Sequence, residues 1–310
     1  MLKGGADKRT RDAIGQAIAS SLYTLNPPLD AADDVPPGSD VIVQKLRKTG
    51  FSSVHPIFSP QVIDDIHAYF AQHPATFYNT GLDDPQAVKG SPAAPPTGFR
   101  FCEWEQDVIS GCPAIAEAAH NPALLRIAEA YLDAPPTLTI VTCWWSFPSD
   151  SPPGGMQYYH HDRDDFRQLK FFAYLTPVTT KTGPHQYVDS THTFAAVMDA
   201  ARKRPGEEIM ALLNWLEKHR KAPEELAAYL PSANIRTITG DRGASFFEDT
   251  RGLHRGVPPV SGPRFAFEIC YALLPKHNTN YRPISRPPIG PVTAKVAYAT
   301  RLFYRDASQT

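Results

Sequence analysis

A short segment near the middle of the chain combines two histidines with an aspartate at a spacing that suits metal binding. The sequence there runs Gln157-Tyr-Tyr-His160-His161-Asp162. Successive side chains of an extended strand point to opposite faces, so His160 and Asp162 share one face and His161 lies on the other. An imidazole and a carboxylate on one face are two of the three ligands of a facial triad, which binds Fe(II) and leaves coordination positions open. The third ligand must then be a histidine from a distant strand.

His254 is placed to be that third ligand. It ends a strand pattern that leads through Asp249, and it is followed by Arg255 and Gly256. Each histidine also has a structural explanation when taken alone, because His160 belongs to a pair that could end a hydrogen-bonded strand and His254 could be a buried core residue. Their order along the chain favours the chemical interpretation. The sequence therefore predicts a catalytic metal site formed by His160, Asp162 and His254.

An arginine follows the last of these residues at short range. A loop rich in proline and glycine, residues 257–263, separates His254 from Arg264, which opens the next strand. This arrangement predicts a hairpin that returns Arg264 to the side of His254. A guanidinium binds a carboxylate through two parallel hydrogen bonds, so Arg264 would suit the distal carboxylate of a dicarboxylate cosubstrate. A surface salt bridge is the alternative role for an arginine at this position.

Other polar residues near the motif are compatible with more than one role. Gln157 and Lys170 are further candidates for binding the cosubstrate, although a lysine at a strand edge more often extends its ammonium to solvent. Glu268 falls on the same strand face as the arginine and is either the partner of a buried cation or a substrate contact. His185 and His192 are assigned no metal role.

The second half of the chain consists mainly of strands. Runs of β-branched and aromatic residues, bounded by Pro, Gly, Ser or Asp, span residues 137–147, 168–178, 244–249 and 264–274. Proline accounts for 31 of the 310 residues, which is typical of short strands joined by shaped loops rather than of long helices. These patterns indicate an α+β chain, mainly β, with an antiparallel barrel or jelly roll as its core.

Helical spacing of apolar residues marks the elements around this core. Residues 40–47 and 60–72 predict two N-terminal helices that flank a short strand, and residues 113–132 predict a third helix divided at Asn121-Pro122. An insertion over residues 193–232 carries two or three further helices and is large enough to cover an active site.

The domain organisation predicted from these patterns is simple. Residues 1–37 are polar and proline-rich and form an N-terminal arm with one short helix over 8–22. Residues 38–310 form a single domain, since all-β barrels commonly reach this size without dividing.

Composition excludes several classes of function. The chain carries 31 Lys+Arg against 32 Asp+Glu, so it has no field that would hold nucleic acid or an anionic membrane. Its apolar runs are too short to span a bilayer, and its N-terminus lacks a signal peptide. Four cysteines without CxxC spacing favour reduced, buried thiols. We expect a cytoplasmic protein with a small-molecule substrate, whereas its oligomeric state is left undetermined.

The ordered set of motifs resembles the phytanoyl-CoA dioxygenase (PhyH) branch of the Fe(II)/2-oxoglutarate oxygenases. The motifs are, in order, HxD at 160–162, LKFFAYLTPV at 169–178, Gly183-Pro184, Ser190-Thr191-His192, GDRG at 240–243, LHRG at 253–256 and Arg264. The resemblance covers residues 144–274 well and the N-terminal helices loosely. It implies a double-stranded β-helix, a cupin-like jelly roll, in which His160, Asp162 and His254 hold iron and Arg264 anchors 2-oxoglutarate.

The same resemblance implies a reaction. Enzymes of this class use Fe(II), 2-oxoglutarate and O2 to hydroxylate, or otherwise oxidise, an unactivated C–H bond of a small organic substrate, with release of succinate and CO2. Related halogenases lack the carboxylate ligand, so the presence of Asp162 makes hydroxylation the default expectation. Two alternatives from other classes remain open: a non-catalytic β-helix that serves as a binding module, and a Zn-dependent hydrolase or isomerase on a cupin-like barrel.

Overall fold

Antiparallel strands form the centre of the molecule and helices surround them. The structure is a computed structural model that describes residues 6–25, 38–80, 84–150, 152–277 and 279–305. Its strands are β1 Phe51–Val54, β2 Ala75–Tyr78, β3 Val88–Gly90, β4 Phe101–Glu103, β5 Thr137–Ser146, β6 Gln168–Tyr174, β7 His185–Val188, β8 Ile235–Ile238, β9 Ser245–Glu248, β10 His254–Gly256, β11 Arg264–Ala272, β12 Ile284–Ser285 and β13 Tyr304–Arg305.

The helices lie before, between and after these strands. They are α1 Lys8–Leu25, α2 Ser39–Thr49, α3 Pro60–Ala71, α4 Gln106–Gly111, α5 Pro113–Ala119, α6 Pro122–Leu132, α7 Phe194–Ala201, α8 Gly206–Leu216, α9 Pro223–Tyr229 and α10 Ala294–Thr300. The predicted break at Asn121-Pro122 is confirmed, and its cause is local. The Asn121 side chain accepts hydrogen bonds from the backbone of Ala123 and Leu124 and so caps α6, while Pro122 occupies the first helical turn.

Two sheets enclose the site. An eight-stranded antiparallel sheet has the order β1-β9-β6-β11-β5-β4-β2-β3, and a three-stranded antiparallel sheet has the order β10-β7-β8. The strands β6 and β11 are buried along their whole length, because one face packs against the helices and the other faces the small sheet. Phe171 and Phe267 belong to the core on the helical side, whereas Phe172 lies 5.3 Å from His185 of the small sheet, measured between ring centroids.

The predicted hairpin between His254 and Arg264 is wrong. The strand β10 pairs with β7 in the small sheet, while β11 pairs with β5 and β6 in the large one, so residues 257–263 cross from one sheet to the other. Arg264 nevertheless comes beside β10, since its guanidinium lies 3.4 Å from the position that a Cβ at Gly256 would occupy. Proximity of the two residues therefore comes from the packing of two sheets.

The helix α1 is attached to the loops that carry the predicted ligands. Arg11 donates a hydrogen bond to the Asp165 carbonyl at 2.8 Å, and Asp12 accepts one from Arg251 at 3.1 Å. The predicted helix over 8–22 is thus present with a longer C-terminal end. The proline-rich part of the predicted arm, residues 26–37, lies outside the described residues, and the division of the chain into an arm and a single domain stays a prediction.

A buried ion pair holds the segment between β9 and β10. Arg251 donates to both carboxylate oxygens of Asp249, at distances of 2.5 to 3.1 Å, and Tyr131 donates to the same carboxylate at 2.6 Å. Burial alone would raise the pKa of Asp249, but the Arg251 guanidinium outweighs it and holds that pKa at about 2. The pair anchors the loop three residues before His254.

We expect Arg251→Met to destabilise the protein by about 3–5 kcal/mol, because it leaves the buried Asp249 carboxylate without its cation. Urea unfolding measures this as a lower midpoint at an unchanged slope. Arg202→Ala is the matched control, since Arg202 pairs with Asp199 in an exposed salt bridge whose loss should cost less than about 1 kcal/mol. Equal midpoints for the two variants would show that the buried pair does not stabilise the loop.

Candidate metal centre

The two predicted histidine ligands lie side by side between the sheets. His160 and His254 exchange backbone hydrogen bonds of 3.0 and 2.9 Å, so the segment after the 3-10 turn at Gly155–Gln157 runs antiparallel to β10. Residues that are paired in this way project to the same face of a sheet. The two imidazole centroids are accordingly 4.2 Å apart, and both side chains are buried.

Backbone carbonyls orient both rings. Nδ1 of His160 lies 2.9 Å from the Tyr158 carbonyl, and Nδ1 of His254 lies 3.0 Å from the Gly252 carbonyl. A carbonyl only accepts, so each Nδ1 carries the proton and each Nε2 keeps its lone pair. Burial lowers the pKa of both histidines, which also favours the neutral imidazole. A hydrogen-bonded Nδ1 and a free Nε2 are the usual arrangement of a metal-binding histidine.

Asp162 completes the cluster. Its Oδ1 lies 3.7 Å from Nε2 of His160, and its Oδ2 lies 3.8 Å from Nε2 of His254. One ligand atom from each of the three residues falls within 4.8 Å of the others, and within the described ranges this is the one group of its kind. His161 points away and accepts a hydrogen bond from Arg163 at 2.9 Å, as the alternation of an extended strand predicts. The structure therefore brings together the three residues that the sequence singled out.

Lys170 is not a surface lysine. It lies on β6 in the interior of the large sheet, and its ammonium is 3.0 Å from Asp162 Oδ2 and 2.8 Å from Glu268 Oε1. Burial disfavours the charged lysine, but the two carboxylates outweigh that effect and raise the pKa of Lys170 well above its ordinary value. The interpretation of Lys170 as an edge residue reaching solvent is thus wrong, and Glu268 proves to be the partner of a buried cation.

Arg264 lies in the wall of the same pocket with part of its guanidinium unpaired. It is buried, and it donates to the Gly183 carbonyl and to Ser146 Oγ, the latter at 3.2 Å. Among the described residues its Nε has no hydrogen-bond partner, and no carboxylate there forms an ion pair with the guanidinium. A buried cation without an anion is costly, so this arrangement fits a site for an anionic ligand.

Gln157 also lines the pocket, but its side chain has a local contact. Oε1 of Gln157 accepts a hydrogen bond from the Gly154 backbone at 3.0 Å and thereby closes the 3-10 turn before His160. A contact of Gln157 or of Lys170 with a cosubstrate stays a prediction.

A histidine and a glutamate that the sequence analysis left without a site role lie next to the cluster. The ring of His185 stacks on that of His254 with centroids 5.6 Å apart, and its Nε2 is 2.9 Å from Oε1 of Glu248. Burial raises the pKa of Glu248 to about 8 and lowers the pKa of His185 to about 3, so the neutral forms of both are favoured. One signal was available in the sequence: Glu248 directly follows Phe246 and Phe247 at the end of a predicted strand.

The pocket around these residues is open to solvent on one side, and the empty space in it, together with that opening, amounts to about 560 Å³. Besides the polar residues described above, its wall is aromatic and aliphatic. The apolar lining consists of Phe101, Trp144, Met156, Phe172, Val257 and Pro259.

The fold is similar to that of solved enzymes whose names describe them as dependent on non-heme iron and α-ketoglutarate. α-Ketoglutarate is another name for 2-oxoglutarate. No model of a known family matches the chain, and no curated protein matches its sequence. One similar structure is the non-heme α-ketoglutarate-dependent carbocyclase SnoK from nogalamycin biosynthesis, with 16% identity over 78% of this chain and 87% of that one and a TM-score of 0.52.

A second similar structure comes from the same biosynthesis. The α-ketoglutarate-dependent epimerase SnoN is 16% identical over 82% of this chain and 96% of that one, with a TM-score of 0.51. At this identity the likeness establishes a shared arrangement of helices around a large antiparallel sheet. The two enzymes differ in reaction, so the fold alone does not select one.

Proposed function

We propose that this protein is an Fe(II)/2-oxoglutarate-dependent dioxygenase of the PhyH type, in which His160, Asp162 and His254 hold the iron. The observation that carries the proposal is the convergence of two neutral imidazoles and one carboxylate within 4.8 Å, beside a buried arginine for which the described residues provide no anionic partner. The finer description of the fold as a double-stranded β-helix belongs to the same proposal, and the two facing antiparallel sheets support it.

The donor set fits ferrous iron. Two imidazole nitrogens and one carboxylate oxygen are the ligands of the facial triad, and ligands confined to one face leave the opposite face open. Iron bound there would supply the redox chemistry that activates O2. The protein holds the Nε2 atoms of His160 and His254 toward that position through their Nδ1 hydrogen bonds, and it holds Asp162 through a backbone hydrogen bond to the Thr250 carbonyl at 2.8 Å.

Arg264 fits the distal carboxylate of 2-oxoglutarate. Its Nε is an unsatisfied buried donor, and an incoming carboxylate would satisfy that donor and neutralise the guanidinium together. The same contact would orient the cosubstrate, because the arginine is itself held by Gly183 and Ser146. Apolar walls line the remainder of the site.

The substrate in this proposal is a small organic molecule, not a nucleic acid. Its contact surface is the aromatic and aliphatic part of the pocket, which includes Phe101, Trp144 and Met156. The reaction is oxidation of an unactivated C–H bond, with release of succinate and CO2, and hydroxylation is the outcome that a carboxylate-containing triad favours. The structure has no helix in its described part that is long and apolar enough to cross a bilayer. A cytoplasmic location belongs to the proposal.

An oxygen electrode tests the function. Purified protein with Fe(II), 2-oxoglutarate and a library of small metabolites should consume O2 and release succinate in equal amounts, and omission of 2-oxoglutarate should stop both. With zinc in place of iron, the protein should neither consume O2 nor release succinate. Turnover of a library compound with Zn(II) and without O2 would indicate a hydrolase or isomerase instead. Failure of Fe(II) and 2-oxoglutarate to bind would indicate a non-catalytic module.

A further inference from the structure

A second carboxylate lies next to the proposed iron ligands, and a single lysine holds it. Glu268 and Asp162 both line the pocket, and the Lys170 ammonium lies between them, 2.8 Å from one and 3.0 Å from the other. All three side chains are largely buried, so water screens their charges only weakly. A facial triad requires one carboxylate, and this pocket therefore contains one more than the triad uses.

We infer that Lys170 is a positioning residue that keeps Glu268 away from the metal. The inference rests on the function proposed above. In this role Lys170 keeps coordination positions of the metal open, and the cosubstrate and O2 need those positions. Lys170 acts here through the two carboxylates.

The position of Lys170 in the sheet supports this role. On β6 it is opposite Cys270 of β11 and Glu248 of β9, and its side chain points to the inner face that Glu268 shares. Glu268 is two residues from Cys270 on β11, which makes it a diagonal neighbour of the lysine within reach of a long side chain. The position of Lys170 on β6 thus places its ammonium between the two carboxylates.

The same ammonium is close to both carboxylates. It lies 3.0 Å from Asp162 Oδ2, an oxygen that is also 3.8 Å from Nε2 of His254, and 2.8 Å from Glu268 Oε1. This pairing withholds Glu268 Oε1 from the metal. Loss of the lysine would place two unpaired carboxylates beside a divalent cation, and carboxylate oxygens bind such cations readily.

Water-proton relaxation with Mn(II) as the probe counts the open positions directly. The full-length protein is titrated with Mn(II) in the absence of 2-oxoglutarate, and the relaxivity per bound ion reports exchangeable water on the metal. We expect Lys170→Met to bind Mn(II) at least as tightly as the wild type but with relaxivity roughly one third lower, because Glu268 replaces one of three waters. The affinity of the Mn(II)-bound variant for 2-oxoglutarate should also fall.

The double variant Lys170→Met/Glu268→Leu separates this role from a purely structural one. It removes the lysine and the surplus carboxylate together, so we expect the relaxivity to return to the wild-type value. If Lys170 only stabilised the fold, removal of Glu268 would not restore the relaxivity. Wild-type relaxivity and 2-oxoglutarate affinity in Lys170→Met itself would overturn the inference, and so would equal relaxivity in the single and double variants.

Glu268→Gln provides a test of the inference that does not require the Lys170→Met variant to fold. This variant leaves the ammonium paired with Asp162 alone, so Mn(II) affinity should fall roughly tenfold, as for other changes to residues that support a metal ligand, with unchanged relaxivity per bound ion. Unchanged affinity would contradict the inference. Absence of Mn(II) binding to the wild type would instead refute the proposed function, which makes the two failures distinguishable.

Discussion

Asp162→Ala is expected to abolish coupled turnover and to weaken Fe(II) or Mn(II) binding by more than about 100-fold. Changes to residues that only orient a ligand already cost about 10- to 100-fold in metal affinity, so removal of the carboxylate itself should exceed that range. The two imidazoles would remain, because backbone carbonyls and not Asp162 orient them. Isothermal titration with Mn(II), together with succinate release, measures both effects.

Asp164→Ala is the matched control for this substitution. Asp164 is two residues away on the same loop and pairs with Lys276 at 3.5 Å near the surface. Its loss should leave Mn(II) affinity within about twofold of the wild type, since exposed pairs contribute little. Undiminished substrate oxidation in Asp162→Ala would rule out the assignment of Asp162 as an iron ligand.

Arg264→Ala is expected to weaken 2-oxoglutarate binding by about 2–5 kcal/mol, the range found when one partner of a buried charged pair is removed. That loss corresponds to roughly 30-fold or more in affinity. Metal affinity should change little, because Arg264 contacts Gly183 and Ser146 and none of the three proposed ligands. Trp144 provides a signal, since the Arg264 guanidinium lies 6.0 Å from its ring centroid and cosubstrate binding should alter its fluorescence.

Arg255→Ala serves as the control for Arg264. Arg255 lies on β10 near the site, but its Nε donates to Gln186 Oε1 at 2.9 Å and its guanidinium packs over Tyr159, outside the pocket. Its removal should leave the 2-oxoglutarate titration unchanged. An identical titration for wild type and Arg264→Ala would show that the cosubstrate is anchored elsewhere.

Much of the fold could be predicted because its signals are local. Strands β5, β6, β9 and β11 coincide with the β-branched and aromatic runs, and helices α7 to α9 fall inside the predicted insertion. The break between α5 and α6 follows from one Asn-Pro pair. Strand pairing was harder to predict from the sequence, because the proline-rich loop after β10 is compatible with a hairpin. In the structure β10 pairs with β7 and β11 pairs with β5, so distant strands place the two ends of the loop in different sheets.

The site shows the same division between local and distant information. His160 and Asp162 share a face because strand geometry alternates side chains, which needs no knowledge of the rest of the chain. Lys170 was misjudged because nothing in the sequence near it shows whether its strand lies at an edge or in the interior. In the structure β6 lies between β9 and β11, and the lysine is buried beside Asp162 and Glu268, with which it pairs.

Residue types and their order along the chain thus determined the donor set, the candidate anion-binding arginine and the strands that carry them. Tertiary structure decided which charges meet: that the ammonium of Lys170 lies between two carboxylates, that Glu248 faces His185, and that Arg264 is buried without an acidic partner among the described residues. The physical reason is range. Alternation and helical spacing act over a few residues, whereas the energy of a buried charge depends on neighbours that can be a hundred residues away.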